Sequence, residues 1–247
     1  MNDCRIIKTA GIIIIGNEIL SGKVQDSNSF YLVSELRALG VNIVRISVIP
    51  DEIETIGREC RSFSESFDYV LTSGGVGPTH DDITIAGIAY GFGVPVIRHP
   101  ALEERFRSRY GGSPGDSIMK MAEVPEGAEV VDFGNSRFPL VVFKNIFIFP
   151  GIPQYLREKF SLIKERFRCS AVYLKKLFLD AEESDIAAAL NGIVDRNHDV
   201  SFGSYPVLDN PEYRIVITAE SRSEDSLKIA FGELLAALPG RIIVRTE

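Results

Sequence analysis

The chain has no tryptophan, only three cysteines and only three histidines among its 247 residues, and that scarcity removes several kinds of chemistry. Cys4, Cys60 and Cys169 are odd in number and far apart, with no CxxC pair and no Cys/His cluster. They supply neither a disulfide framework nor a zinc site and read as free thiols of a reducing compartment. His99 and His198 have no neighbour at metal or triad spacing and are expected on the surface. Long apolar runs are missing as well: Ala10 to Ile15 is only strand-length, far short of the roughly 20 residues of a membrane span. Met1 to Lys8 lacks the layout of a signal peptide. A cytoplasmic location with no membrane partner is expected. Positive charge is also short: 27 Lys+Arg against 34 Asp+Glu leave a net charge of -7. Such a surface repels a polyphosphate backbone, so nucleic acid is not an expected partner. Neither a GxxxxGK[ST] loop nor a GxSxG elbow occurs, which disfavours a P-loop ATPase and a serine hydrolase.

What is present is the composition of a folded protein, with 45% hydrophobic and 25% charged residues. The length suits one large domain, or a medium domain with a small one. Thr9 to Ile15 is a β-branched run expected as a central strand buried on both faces. From Asp26 or Ser27 to Leu39 apolar residues recur at helical spacing, and Gly40 is placed to close that helix in the left-handed conformation. Val41 to Ile49 reads as the next strand, and Asp51 as the cap of a helix carrying Ile53, Ile56, Cys60 and Phe63. Tyr69 to Thr72 is a third strand, with a further helix from Thr84. Repeated units of this kind predict a three-layer α/β domain around a mostly parallel sheet.

Leu102 to Tyr110 reads as a charged helix, and Gly111 to Gly115 as a mobile loop, a candidate lid. A hairpin is expected around Lys144-Asn145, with Asn145 at positive φ, before Pro150-Gly151-Ile152-Pro153 opens a helix reaching about Arg168. From about Cys169 the order becomes strand, helix, strand, strand, helix, strand, that of a small ferredoxin-like α+β unit. The expected domains are 1–168 and 169–247.

The chemistry concentrates between Leu71 and Thr84. In Thr72-Ser73-Gly74-Gly75-Val76-Gly77-Pro78 three glycines follow a buried strand directly. Without Cβ atoms the backbone can turn tightly and aim its N–H groups at phosphate oxygens, and the following helix adds partial positive charge. A tight strand-to-helix turn with no ligand is the plainer alternative. The polar run Thr79, His80, Asp81, Asp82 and Thr84 favours a site, with Asp82 as a ligand for a divalent ion. Asp51, and Asp26 or Glu18, follow the neighbouring strands and in a parallel sheet would open onto the same edge; as helix caps they would do nothing chemical. His80 either assists a phosphate or points to solvent.

These residues resemble a known family. The segment from Thr72 to Thr84, with Gly16-Asn17-Glu18-Ile19-Leu20-Ser21-Gly22, Gln25-Asp26-Ser27-Asn28, Pro50-Asp51-Glu52 and Pro150 to Pro153, is similar to the molybdopterin-binding domains of molybdenum-cofactor biosynthesis. Within that family it is most like the N-terminal domains of eukaryotic FAD synthase and of competence-damage-inducible proteins, and the likeness extends over nearly the whole chain. It implies metal-dependent hydrolysis of FAD, ADP-ribose or a related nucleoside diphosphate, with a divalent ion (cobalt, magnesium or manganese) and with potassium favouring activity. Carried over, Asp51 and Asp82 would hold the metal and position water. Gly74, Gly75, Gly77 and Thr79, with Thr72, Ser73, Pro78 and Gly151, would bind phosphate. Asn17, Glu18, Asp26 and Asn28 would line the nucleotide side. Two alternatives stay open: a flavin- or pterin-nucleotide-binding regulatory module without turnover, and adenylyl transfer to molybdopterin. Association into homo-oligomers is also expected. The second nucleotide loop needed to adenylylate FMN is not found in this sequence, so FAD synthesis itself is not assigned to these residues.

Overall fold

The computed structural model describes residues 7–112, 114–131 and 139–247, and the chain divides into two compact units, Met1–Cys169 and Ser170–Glu247. Cys4 lies outside the described residues, as does Ser113 of the expected lid loop. In the first unit, strands β1 (Thr9–Ile15), β2 (Asn42–Ile49), β3 (Tyr69–Ser73), β6 (Glu129–Val131), β7 (Leu140–Phe143) and β8 (Ile146–Phe149) form one sheet in the order β2-β1-β3-β8-β7-β6. The first four in that order are mutually parallel, β7 runs antiparallel to β8, and β6 runs antiparallel to β7. Two further strands, β4 (Val96–Arg98) and β5 (Glu123–Pro125), pair separately.

The run of β-branched residues in β1 is explained by burial on both faces. Ala10, Ile12 and Ile14 pack into one layer, with Leu32 and Leu36 of α2 (Asn28–Ala38) and Leu156 and Phe160 of α7 (Pro153–Ile163). Ile13 and Ile15 pack into the other, with Ile56, Cys60 and Phe63 of α3 (Ile53–Ser66) and Ile88 of α4 (Thr84–Phe92). A side chain on either face of this strand therefore meets a helix, as in three-layer α/β domains. Burial pushes the Cys60 thiol up to about 12, so it acts as a core residue rather than a nucleophile.

Two local expectations change. In the β7–β8 hairpin the positive φ falls on Lys144 (54°), not on Asn145. The Asn145 amide instead donates to the carbonyls of Ser64 and Phe67, at 3.1 and 2.8 Å, tying the hairpin to the end of α3. The helix after Pro153 closes at Ile163 and continues as a 3-10 turn over Lys164–Phe167.

Helices α3 and α4 touch through glycine. A Cβ on Gly91 would lie 2.2 Å from the carbonyl oxygen of Gly57, and one on Gly57 would lie 2.7 Å from that of Gly87. The two backbones meet with no side chain between them, which seats α4 and, with it, the glycine turn preceding it. Beyond α4, helices α5 (Pro100–Tyr110) and α6 (Asp116–Lys120) form a small satellite core of Leu102, Phe106, Met119 and Val124.

The second unit contains β9 (Tyr173–Leu179), α8 (Glu183–Val194), β10 (Ser201–Pro206), β11 (Ile215–Ser221), α9 (Glu224–Ala237) and β12 (Ile243–Thr246). Its antiparallel sheet has the order β10-β11-β9-β12, which is the ferredoxin-like arrangement. No helix among the described residues is long and apolar enough to cross a membrane.

Gly91→Ala is expected to destabilise the protein by about 1–3 kcal/mol in a urea titration, because its methyl group has no room. Gly232→Ala, in helix α9 where an added Cβ meets nothing within 4 Å, is expected to stabilise by about 0.5–1 kcal/mol. Asp68 provides a pH test. Its carboxylate accepts from Lys8 Nζ (2.7 Å), Thr9 N–H (2.8 Å) and Thr9 Oγ1 (2.9 Å), and the Lys8 bond leads in holding its pKa below the ordinary 3.8. A depressed carboxyl stabilises the fold above its unfolded-state pKa and loses that contribution as pH falls through the folded one. Asp68→Asn is therefore expected to lower stability at pH 7 by about 1 kcal/mol, with wild type and variant converging below about pH 4 in acid-unfolding curves.

Candidate functional site

Because β1, β2, β3 and β8 are parallel, their carboxyl ends open at one edge of the sheet. Ile15 pairs with Ile49, Ile14 with Ser73, and Ser73 with Phe149, so the segments that follow these residues are neighbours by register. Gly74 turns the chain with φ of 112°, and a Cβ there would lie 2.0 Å from the Ile15 carbonyl oxygen. Gly75 follows at φ 63°. Thr84 holds the inner side of the turn: its Oγ1 donates to Gly74 O (2.9 Å) and its N–H to Gly75 O (3.0 Å). The Gly74 amide is used in the ladder to Phe149. Among the described residues the N–H groups of Gly75, Val76 and Gly77 have no protein acceptor.

These amides border a cavity of about 780 Å³, within the roughly 300–1,000 Å³ range of ligand sites. Glu18, Gly74, Gly75, Gly77, Pro78, Asp82 and Gly151 line it, so half of the residues expected to bind ligand come together. The opposite wall, which the sequence did not single out, is apolar: Leu102 and Phe106 of α5, Ile118 of α6, and Met121, with Tyr110 at the end of α5. The helices that flank the expected lid loop thus provide a wall, while the described residues of the loop itself, Gly111, Gly112, Pro114 and Gly115, do not line the cavity. From α7 come Tyr155 and Lys159, four residues apart and so on one helix face.

The remaining expected residues are used in the framework around the cavity. Asp26 caps α2, accepting the N–H groups of Asn28 (2.8 Å) and Ser29 (3.1 Å) and the Ser29 hydroxyl. The buried Asn28 amide donates to Ser73 Oγ (3.0 Å) and Gly151 O (2.7 Å), clamping the end of β3 to the turn after β8. Ser73 Oγ in turn donates to Pro150 O. Thr72 is fully buried. Asp51 does not cap α3; its Oδ2 accepts the N–H of Asn17 (2.8 Å), at the start of the single turn α1 (Asn17–Leu20), which joins the ends of β1 and β2. Asn17 and Asp51 are not on the cavity wall.

Asp82 has a double role. Its Oδ2 accepts the Thr79 N–H (2.8 Å) and lies 2.5 Å from Thr79 Oγ1, bracing the turn, while the carboxylate borders the cavity. The Thr79 hydroxyl also reaches Asp81, and that bond leads in holding the Asp81 carboxyl below its ordinary pKa. Thr79 therefore works within the turn. Lys120 closes this corner by donating from Nζ to Thr79 O (2.5 Å). The His80 side chain is 98% exposed and points to solvent.

Lys159 is the cavity residue that sequence reading missed. It is 4% exposed, and burial lowers its pKa from 10.5 to about 8, with Glu158 opposing the shift and Arg105 adding to it. The available signal was a lysine placed among Leu156, Phe160 and Ile163 on a core-facing helix, where snorkelling to solvent is the common outcome.

Comparison with known proteins fits this arrangement. Residues 11–168 match the family described as probable molybdopterin binding domain, and residues 171–247 match the FAD synthase middle domain. A probable FAD synthase of Caenorhabditis elegans is 34% identical over 96% of this chain and 51% of its own length. That of Caenorhabditis briggsae is 34% identical over 92% and 50%, so the chain spans about half the length of these curated relatives. A protein of Archaeoglobus fulgidus is 34% identical over 91% of this chain and 96% of its own. Among solved structures, the protein CinA with unknown function from Thermoplasma acidophilum aligns with a TM-score of 0.61 at 27% identity, over 65% of this chain and 98% of that one. The chain belongs to the molybdopterin-binding domain family, with a FAD synthase middle domain following the family domain.

Proposed function

We propose that the first unit binds a nucleoside diphosphate such as FAD or ADP-ribose and hydrolyses its pyrophosphate bond. The observation that carries this reading is the row of unpaired amides at Gly75, Val76 and Gly77, beside the Asp82 carboxylate, in a cavity whose other wall is apolar. A phosphate fits the amides, and a planar ring fits the wall of Leu102, Phe106 and Met121. The names of the FAD synthase relatives support a flavin nucleotide.

The acids suit the divalent ion that the family resemblance implies. Asp82 and Glu18 on the cavity wall, and Asp51 after β2, bonded to the Asn17 N–H, are hard oxygen donors. Among the described residues no three acidic, histidine or cysteine side chains converge, so the ion would take one or two carboxylates and complete its shell with ligand phosphates. When bound, magnesium, manganese or cobalt would offset the charge that develops on the leaving oxygen. The chain's own contribution is positional. Thr79 fixes Asp82, Thr84 holds the turn so that its amides meet the phosphate, and the α5–α6 wall keeps water from the ring.

With cobalt, magnesium or manganese, the protein is expected to release FMN and AMP from FAD. Asp82→Asn, which keeps the shape of the side chain, is expected to lower the rate by about a hundredfold or more. Chromatography of the products reads both; no FMN from wild type, or an unchanged rate in the variant, counts against the proposal. Binding of FAD without products would select the regulatory module instead. Gly75→Ala, at φ 63° with its methyl 2.4 Å from Thr84 Oγ1, is expected to abolish FAD binding in calorimetry, because the turn loses the conformation that presents its amides.

A further inference from the structure

The six-stranded sheet ends in two unlike edges. At one, β6 is three residues long and carries Glu129, and a short, charged edge resists pairing with other strands. At the other, β2 has eight residues and a single charge, Arg45. Its first half is interrupted, because the register against β1 shifts between Ala10 with Ile43 and Gly11 with Arg45, and a bulge of this kind also discourages pairing. The second half is regular: Arg45 to Ile49 run opposite Gly11 to Ile15 without a break. Ile49 O accepts the Gly16 N–H, so Ile49, Ser47 and Arg45 turn their backbone groups toward β1, and Ile46 and Val48 turn theirs outward. Among the described residues nothing pairs with those outward groups. The side chains of Ile46 and Val48 share the face of Ile12 and Ile14 yet are 46% and 39% exposed. Helix α2, which covers that face, adds Phe30, 77% exposed. On the other face Arg45 is held by Glu59 of α3 at 3.0 Å and lies over the Phe63 ring.

We propose that this edge is a contact between two copies of the chain, in which β2 pairs antiparallel with β2 of the second copy about a two-fold axis at Ser47. The pattern of the strand selects both the occupant and the register. An axis at Ser47 sets Ile46 opposite Val48 in both directions; each of these pairs exchanges its two outward N–H and C=O groups, and the apolar side chains meet on one face. Ser47 meets Ser47 at the axis, where opposed side chains come closest and a small one fits. Arg45 falls opposite Ile49 of the second copy, and the two Arg45 Cα atoms lie about 14 Å apart. An axis at Arg45 would set the two guanidinium groups against each other, which is destabilising. An axis at Ile46 would set Val48 against Val44, in the interrupted half. Strands that match themselves in this way form a closed, two-fold dimer. The contact is small: five residues a side with the flank of α2 fall below the roughly 800 Å² per partner of a stable complex, so the dimer forms only as concentration rises. Antiparallel pairing puts the carboxyl edges of the two sheets at opposite ends. Each cavity then keeps only its own residues, and the inference does not depend on the chemistry proposed for it.

Sedimentation velocity of the full chain tests this over about 1 to 200 μM, the range in which a contact of this size associates. Wild type is expected to pass from monomer to dimer with a midpoint on the order of 10 μM. Ile46→Lys puts a charge on the exposed edge, and is expected to keep the wild-type melting temperature and to raise the midpoint by about tenfold or more. Cross-linking reads the register independently, and does so even if Ile46→Lys fails to fold. With Cys4→Ser and Cys169→Ser as background, Ser47→Cys is expected to give a disulfide-linked dimer on mild oxidation, because Cα atoms of a directly opposed, non-hydrogen-bonded pair lie about 4.5 Å apart. Val44→Cys in the same background, about 20 Å from its counterpart, is expected to give none. Wild type that stays monomeric at the highest concentration overturns the proposal and leaves the edge to a strand of another protein. A dimer that neither weakens in Ile46→Lys nor cross-links through Ser47→Cys uses another surface and overturns it too, as does one that cross-links through Val44→Cys instead.

Discussion

The carboxyl edge of the sheet depends on one close approach, that of Gly74 to the carbonyl of Ile15. At φ 112°, with no room for a Cβ, the chain leaving β3 passes directly over the end of β1. Gly151, after β8, comes in from the other side, where an added Cβ would lie 3.4 Å from the Gly74 Cα. Three backbone turns are thereby brought into contact without side chains between them. Only glycine tolerates both that φ and that proximity, so the positions of Gly75, Val76 and Gly77 relative to the sheet follow from a steric limit. Thr84 then fixes the inner carbonyls, which leaves the amides to the cavity.

Polar residues around this contact divide between building the edge and facing the ligand. Asp26, Asn28, Ser73, Asp51 and Asp82 satisfy backbone groups that the turns leave unpaired. Leaving such groups buried without partners would cost about 1–3 kcal/mol each. Glu18 and Asp82 remain on the wall. Asp82 belongs to both groups, which couples the shape of the turn to the carboxylate that the proposed chemistry needs.

The second wall has a different origin. It is built by the α5–α6 insertion over its own small core of Leu102, Phe106, Met119 and Val124. It completes a site that is apolar on one side and bears free N–H groups and carboxylates on the other. Lys159, reaching the same space from α7, adds the one deeply buried cation among the described lysines and arginines. Its lowered pKa expresses the cost of that placement.

The layers, the parallel order, the glycine turn and the antiparallel second unit were legible in the sequence because each follows from local rules. β-Branched runs bury on both faces, helical spacing selects a face, and glycine after a strand marks a turn. The family resemblance was equally legible in the motifs from Gly16 to Pro153. What the sequence could not assign was the use of each polar side chain, because Asp, Asn and Thr beside a turn can cap, clamp or contact a ligand with the same local pattern. Only the register of β3 with β8 decided that Asn28 bonds to Gly151, 123 residues away, and only that of β1 with β2 decided that Asp51 meets Asn17. Only the packing of α7 decided that Lys159 faces the cavity rather than solvent. The reason is physical: local propensity depends on neighbours in the chain, whereas burial and hydrogen-bond partners depend on segments that folding alone brings together.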